Sequence, residues 1–195
     1  MFYKIVRKIF TPLLRFFFPF EVAGKENLDK VGKNFMLCSN HVSYIDALFL
    51  AVISNEKINF LAKKELFDNP VFNFLFKNLG AIPVRRGKGD KLAILEAEKI
   101  LNSGQAIGIF IEGTRSTTGE FLKPHLGAAL IASRTGVKVV PACITPIKTK
   151  QIRIFRKTLI KLGKPLVLEI NPEVRREISL ATHKLMEIIK KLKST

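Results

Sequence analysis

The sequence predicts a single α/β domain with a mostly parallel central sheet flanked by helices. Short continuous apolar runs alternate with segments of helical periodicity, which is typical of strands buried on both faces between helices. The length of 195 residues, 47% of them hydrophobic, is sufficient for one domain with a substantial core. We assign residues 21–195 to this domain and residues 1–20 to a preceding amphipathic helical segment.

The segment 1–20 is rich in phenylalanine and carries its charges on one side of a helix. At roughly 100° per residue, a narrow polar arc lies opposite a broad apolar one. The polar arc contains Lys4, Arg7, Lys8, Thr11 and Arg15, and the apolar arc contains Ile5, Val6, Ile9, Phe10, Leu13, Phe16 and Phe17. Such a helix suits the headgroup region of an anionic membrane. A helix docked on the protein's own core is the alternative. Arg15 argues against a transmembrane helix, and no small-residue cleavage site of a signal peptide follows Phe20.

The remaining elements are predicted from local patterns in chain order. A polar linker is expected over residues 21–34. Apolar runs predict strands over residues 35–38, 59–62, 81–84, 106–111 and 137–144, with two more within 151–170. Helical periodicity predicts helices over residues 46–53, 91–102 and 127–135 and from Asn171 onward, and an apolar helix or re-entrant loop over 70–79.

The charge balance indicates an anionic partner. The chain has 33 basic and 16 acidic residues, a net charge of +17, which favours nucleic acid, an anionic membrane, or an acidic or phosphorylated substrate. Sixteen phenylalanines and a positive mean hydropathy favour the membrane and argue against nucleic acid. Cys38 and Cys143 lie in apolar runs and are interpreted as core residues in a reducing compartment. The three histidines show no paired ligand spacing, so no metal site is expected.

A His and an Asp lie on the predicted turn between the first long apolar strand and its helix. In this turn, residues 40–46, the imidazole of His41 is placed to accept a proton from a hydroxyl near neutral pH. The carboxylate of Asp46 would fix its tautomer and stabilise the imidazolium. The alternative is that Asp46 only caps the helix and His41 is a satisfied turn residue.

Two further stretches place polar residues after predicted strands. Arg85 and Arg86 sit beside glycines, and residues 112–116 follow a buried strand with Glu112, Gly113, Thr114 and Arg115 in succession. Guanidinium groups bind phosphate through two parallel hydrogen bonds, and Glu112 is placed to hold Arg115 for this purpose. The alternatives are solvated charge for the arginine pair and a loop ion pair for Arg115. His125 is expected to be a surface residue.

Taken in order, these stretches resemble the glycerolipid acyltransferase family, especially its bacterial 1-acyl-sn-glycerol-3-phosphate acyltransferases. The matching residues are Asn40, His41, Ser43 and Asp46, then Gly80, Ile82, Val84 and Arg86, then Phe110 and Glu112 to Ser116, and finally Val140, Pro141 and Ile144. The chain departs from the family at Pro124-His125, where a lysine-containing run is common.

The resemblance implies acyl transfer from a thioester of acyl carrier protein or coenzyme A to lysophosphatidate, without a cofactor. It implies that His41 is the general base and Asp46 its orienting partner. The substrate-binding residues are expected to be Asn40, Ser43, Arg85, Arg86, Glu112, Gly113, Thr114 and Arg115. Because no Gly-x-Ser-x-Gly sequence occurs, direct transfer without an acyl-enzyme is expected. The implied location is the cytoplasmic face of the membrane; donor type, chain length, acceptor and oligomeric state stay open.

Overall fold

The computed structural model describes residues 2–70, 73, 77, 80–84 and 90–194. Its strands are β1 (Phe20–Ala23), β2 (Phe35–Ser39), β3 (Ile58–Lys63), β4 (Ala81–Val84), β5 (Ala106–Phe110), β6 (Lys138–Pro146) and β7 (Thr158–Leu162). Its helices are α1 (Phe2–Phe17), α2 (Lys25–Asp29), α3 (Asp46–Ile53), α4 (Asp90–Asn102), α5 (Gly127–Thr135) and α6 (Arg175–Ser194), with a 3₁₀ turn over Lys64–Phe67. The predicted alternation of strands and helices is confirmed.

The sheet has the strand order β1-β7-β6-β2-β5-β3-β4. The five strands from β6 to β4 run parallel to one another, while β7 pairs antiparallel with β6 and β1 runs parallel to β7. The prediction of a mostly parallel sheet is therefore confirmed. The carboxyl ends of β2, β5 and β6 meet at one edge, where parallel sheets commonly place their functional loops.

The apolar residues of the domain form a core on each face of the sheet. One cluster packs the sheet against α4, α5 and α6 through Ala97, Leu101, Ala129, Ala132, Leu185 and Ile189. The other packs it against α1, α2 and α3 through Leu14, Leu28, Phe49 and Leu50. All five residues of β2 are buried because both faces are covered. Each large side chain fully buried here contributes roughly 1.5–3 kcal/mol to folding.

Helix α1 both docks on the domain and leaves an apolar face exposed. Leu14 is buried in the second cluster, and the guanidinium of Arg7 donates a hydrogen bond to the carbonyl oxygen of Ser54. On the outer side, Ile9 and Phe16 remain 66% and 67% exposed. Pro12 lies within this single helix. Among the described helices, none has the length and apolarity needed to cross a bilayer.

Three sequence predictions are wrong in detail. The expected linker over 21–34 contains β1 and α2; β1 is a four-residue edge strand whose burial is uneven, so its apolar signal is weak. Within 151–170 only β7 is a strand, and the second predicted strand is a single bridge between Val139 and Leu166. Helix α6 begins at Arg175 instead of near Asn171. Most of the predicted apolar segment 70–79 lies outside the described residues.

Candidate active site

The turn between β2 and α3 brings an imidazole and a carboxylate into direct contact. Asp46 Oδ2 lies 2.7 Å from His41 Nδ1, and it also accepts hydrogen bonds from the backbone N–H groups of Val42 at 2.6 Å and Ser43 at 2.8 Å. Asp46 is fully buried, whereas the His41 side chain keeps 16% of its surface exposed. Because a carboxylate accepts from Nδ1–H, we assign the tautomer that leaves Nε2 unprotonated and available to a substrate.

The ring of His41 is also held by aromatic packing. It stacks on Phe110, the last residue of β5, with ring centroids 3.9 Å apart and planes 10° apart. The ring centroid of Phe110 in turn lies 5.9 Å from that of Phe60 in β3. A Cβ on Gly108 would lie 2.1 Å from the Phe60 ring, so β5 needs glycine there for Phe60 to take this place. Packing and the Asp46 hydrogen bond together fix the imidazole in one orientation.

Asn40 ties the same turn to the neighbouring strand. Its amide nitrogen donates to the carbonyl oxygen of Ile144 at 3.0 Å, and its amide oxygen accepts from the Ile144 N–H at 2.8 Å. The side chain is only 4% exposed. This paired contact joins the end of β2 to β6 directly before the His41 turn. The predicted contact of Asn40 with substrate stays a prediction. In the structure both polar ends of its amide are engaged with the backbone of Ile144.

Glu112 is a second buried carboxyl group at this edge of the sheet. It is 1% exposed, and Oε2 accepts a hydrogen bond from the Leu122 N–H at 3.1 Å. Among the described residues, Oε1 has no hydrogen-bond partner. Burial raises the pKa of Glu112 to about 7, and the nearby charge of Asp46 also raises it, while backbone N–H groups of Leu122 and His41 act in the opposite direction.

Arg115 is held by an aromatic ring and not by Glu112. Its guanidinium carbon lies 3.3 Å from the ring centroid of Tyr44, which belongs to the His41 turn. The expected ion pair between Glu112 and Arg115 is absent from the described contacts, because Glu112 is turned inward toward Leu122. The next residue, Ser116, donates its N–H to the carbonyl oxygen of His41 at 2.8 Å. The Arg115 loop and the His41 turn are therefore directly joined.

The other predicted site residues lie on these two loops or outside the described chain. Ser43 donates its N–H to Asp46, and its hydroxyl oxygen faces the N–H of Ile45 at 3.5 Å. Gly113 has a φ of 64°, a conformation that favours glycine, and Thr114 beside it is exposed. Arg85 and Arg86 lie outside the described residues, so their predicted phosphate contacts stay predictions.

His125 is a neighbour of the site that the sequence did not reveal. Its imidazole lies against Gly113, and its backbone N–H donates to the carbonyl oxygen of Ile111 at 2.8 Å. The expectation of an exposed residue is confirmed, but this exposed residue borders the Arg115 loop. The available signal was its position at the departure from the family pattern. Within the described part of the chain, no group of three or more His, Cys, Asp or Glu side chains is arranged to hold a metal ion.

An α/β domain with a His–Asp pair and an arginine at the carboxyl edge of its sheet has the parts of a general-base enzyme. The family model described as Acyltransferase matches residues 19–145, and this chain belongs to that family. The resemblance seen in the motifs is thereby confirmed.

Relatives and a solved structure support the same assignment. The chain is 35% identical over 150 residues to a 1-acyl-sn-glycerol-3-phosphate acyltransferase of Bacillus subtilis, covering 75% of this chain and 73% of that protein. It is 34% identical over 110 residues to a lyso-ornithine lipid O-acyltransferase of Pseudomonas aeruginosa, covering 55% of this chain and 41% of that protein. The crystal structure of the 1-acyl-sn-glycerophosphate acyltransferase of Thermotoga maritima superposes with a TM-score of 0.73 at 25% identity, covering 99% of this chain and 81% of that one.

Proposed function

We propose that this enzyme transfers a fatty acyl group from an acyl thioester to the sn-2 hydroxyl of 1-acyl-sn-glycerol 3-phosphate, giving phosphatidate. The contact of His41 Nδ1 with Asp46 Oδ2 at 2.7 Å is the observation that carries the proposal. It leaves Nε2 as the base at a partly open position, on the turn whose Tyr44 ring contacts Arg115. The Bacillus and Thermotoga proteins, whose names state this acceptor, support the choice of substrate.

The proposed reaction is a direct transfer. Nε2 of His41 removes the hydroxyl proton as the glycerol oxygen forms its bond to the thioester carbonyl carbon. Asp46 stabilises the imidazolium that results. The carbon–sulfur bond then breaks, and the imidazolium returns the proton to the departing thiolate. The chain lacks a Gly-x-Ser-x-Gly sequence, which supports a path without an acyl-enzyme.

The acceptor is positioned through its phosphate. The guanidinium of Arg115 lies 3.3 Å from the ring centroid of Tyr44, which belongs to the His41 turn. Together with Arg85, Arg86, the backbone of Gly113 and the hydroxyl of Thr114, it would bind the phosphate and leave the sn-2 hydroxyl facing His41. The neutral form of Glu112 near pH 7 would not repel this phosphate.

The enzyme would work at the cytoplasmic face of a membrane as a peripheral protein. Ile9, Leu13 and Phe16 of α1 are 66%, 50% and 67% exposed, and they form a continuous apolar strip beside Phe155. The net charge of +17 favours an anionic leaflet. Replacing all three strip residues by serine should weaken flotation with anionic liposomes while Leu14 still docks the helix. Equal flotation of the variant and the wild type would remove this part of the proposal.

A sibling reaction is the alternative, with glycerol 3-phosphate or another lysolipid as acceptor. The relative in Pseudomonas aeruginosa, 34% identical over 110 residues, is named for a different lysolipid, which supports this alternative. A matrix of acyl carrier protein and coenzyme A thioesters against these acceptors separates the possibilities. The proposal requires lysophosphatidate to give the highest kcat/KM.

His41→Ala tests the mechanism most directly. The variant should lose about 10³-fold in kcat, since general-base catalysis contributes roughly 10²–10⁴-fold. His183→Ala, on the exposed side of α6, is the matched control and should keep wild-type activity. Full activity in His41→Ala would disprove the role of His41. No detectable transfer by the wild type with any donor would instead favour a non-enzymatic basic protein that binds membranes or nucleic acid.

A further inference from the structure

A cationic cavity lies beside the proposed active site but does not include His41 or Arg115 among its described lining residues. Its volume is about 790 Å³, and it opens to solvent between the end of β6, the loop before β7 and the end of α6. The lining residues are Thr117, Pro146, Lys148, Thr149, Lys150, Gln151, Arg153 and Lys193. A volume of this size is typical of small-molecule sites.

The charges of this cavity are of one sign. Lys148, Lys150 and Arg153 from the loop and Lys193 from α6 line it, and no carboxylate lies among the lining residues. Within the described chain these four cations form no ion pair with an acidic side chain. Like charges gathered around one cavity repel each other, and an anion bound between them would relieve that repulsion.

The loop that carries these cations is tied to the active-site loop. The side-chain amide of Gln151 donates to the carbonyl oxygen of Thr117 at 2.9 Å, two residues beyond Arg115. The hydroxyl of Thr149 donates to the carbonyl oxygen of Gln151 at 2.7 Å, which stabilises the bend of the loop. An anion bound in the cavity would therefore lie next to the loop that holds the acceptor phosphate, at the same edge of the sheet.

From this geometry we infer that the cavity binds a phosphate ester group other than the acceptor phosphate. Ammonium and guanidinium groups recognise phosphate through charge-assisted hydrogen bonds. Two sources have this chemistry, namely the phosphates of a coenzyme A thioester and the headgroup of an anionic lipid in the leaflet. The donor version rests on the proposed acyl transfer; the headgroup version does not.

The test removes two cavity cations and compares the result with a matched loss of charge elsewhere. The variant is Lys148→Gln with Lys150→Gln. The control is Lys33→Gln with Lys138→Gln, two exposed lysines at the opposite edge, where β2 and β6 begin. Calorimetric titration with coenzyme A should show at least about tenfold weaker binding for the cavity variant and an unchanged affinity for the control. The difference should shrink as salt is raised.

A second arm separates the two phosphate sources. Sedimentation with vesicles of phosphatidylglycerol and of phosphatidylcholine gives the dependence of binding on anionic headgroups. If the cavity variant loses this dependence but keeps its affinity for coenzyme A, the ligand is the lipid headgroup. If neither coenzyme A binding nor vesicle binding differs between the cavity variant and the control, the inference is overturned.

The outcome is independent of catalysis. His41→Ala should keep the wild-type affinity for coenzyme A, because His41 does not line the cavity. If the wild-type protein shows no transferase activity but its ligand binding depends on Lys148 and Lys150, the cavity site is upheld and the proposed function is rejected. If the wild-type protein is active but the cavity variant binds the ligands as the wild type does, the cavity site is rejected and the proposed function is upheld.

Discussion

Asp46 and Glu112 are two buried carboxyl groups at the same edge of the sheet, and their surroundings differ. One oxygen of Asp46 accepts from two backbone N–H groups and contacts the imidazole of His41. Backbone N–H groups of Leu122 and His41 act on Glu112 and lower its pKa, but burial outweighs them and raises that pKa to about 7. The two carboxyl groups therefore differ in their partners: the imidazole of His41 lies against Asp46, whereas the described partners of Glu112 are backbone N–H groups.

The difference separates two roles. An acid behind an imidazole that acts as general base stabilises the imidazolium, and the contact of Asp46 with His41 suits that proposed role. Glu112 is close to half-protonated at neutral pH, which would suit a residue near the proposed phosphate site better than a second full negative charge. The following predictions test this contrast, from the largest expected effect to the smallest.

Asp46→Asn should lower kcat/KM about 10²-fold while leaving the fold stable. The amide oxygen can take the place of Oδ2, which faces the N–H groups of Val42 and Ser43, so the hydrogen bonds survive and only the charge is lost. Initial rates and urea unfolding measure the two effects. Asp46→Ala is the comparison and should also lower stability, because it leaves both N–H groups without their acceptor. Undiminished activity in Asp46→Asn would show that the charge is not needed.

Glu112→Gln should stabilise the protein at pH 8 and have little effect at pH 4. Between the ordinary pKa of 4.5 and the native pKa of about 7, the native state binds more protons than the unfolded state. The free energy of unfolding of the wild type therefore falls as pH rises through this window. The gain in the variant should reach about 3 kcal/mol at most. Urea titrations at both pH values measure it, and a gain that is equal at both would contradict the raised pKa.

Asn40→Leu should lower the free energy of unfolding by about 2 kcal/mol, because it leaves the backbone groups of Ile144 unpaired in the interior. Unlike the two carboxyl groups, Asn40 has no charge, so this loss should not depend on pH between 5 and 8, as chemical denaturation can show. Asn34→Leu, at an exposed position before β2, is the control. A loss no larger than that of the control would reject the bridging role.

Tyr44→Ala should raise KM for the acceptor about threefold to fivefold, since the ring holds the guanidinium of Arg115 through a cation–π contact worth roughly 1 kcal/mol. Tyr44→Phe keeps the ring and should restore the wild-type KM. Glu112→Gln should leave this KM within about twofold, because Glu112 does not pair with Arg115. A larger KM change in Glu112→Gln than in Tyr44→Ala would contradict this prediction and support the ion pair between Glu112 and Arg115 that was expected from the sequence.

Most elements were predictable because their signals are local. Strands β2, β4 and β5 follow continuous apolar runs, and α5 ends at Gly136, whose φ is 65°. The edge strand β1 was missed because it is short and half exposed, so its sequence lacks a clear apolar pattern. Its pairing with β7 stabilises it as a strand. The start of α6 was misplaced because Asn171 bonds locally to Glu173 and Glu177 before the helix begins.

The sequence by itself determined the parallel α/β class, the residue types of the site and the pairing of His41 with Asp46, which are five positions apart on one turn. Tertiary structure decided the contacts between distant parts of the chain. The stacking of His41 on Phe110, the bridge from Asn40 to Ile144 and the placing of Arg115 over Tyr44 all depend on β5 and β6 flanking β2. Local periodicity carries no information about which strands become neighbours, and that order decides which distant residues meet at the site.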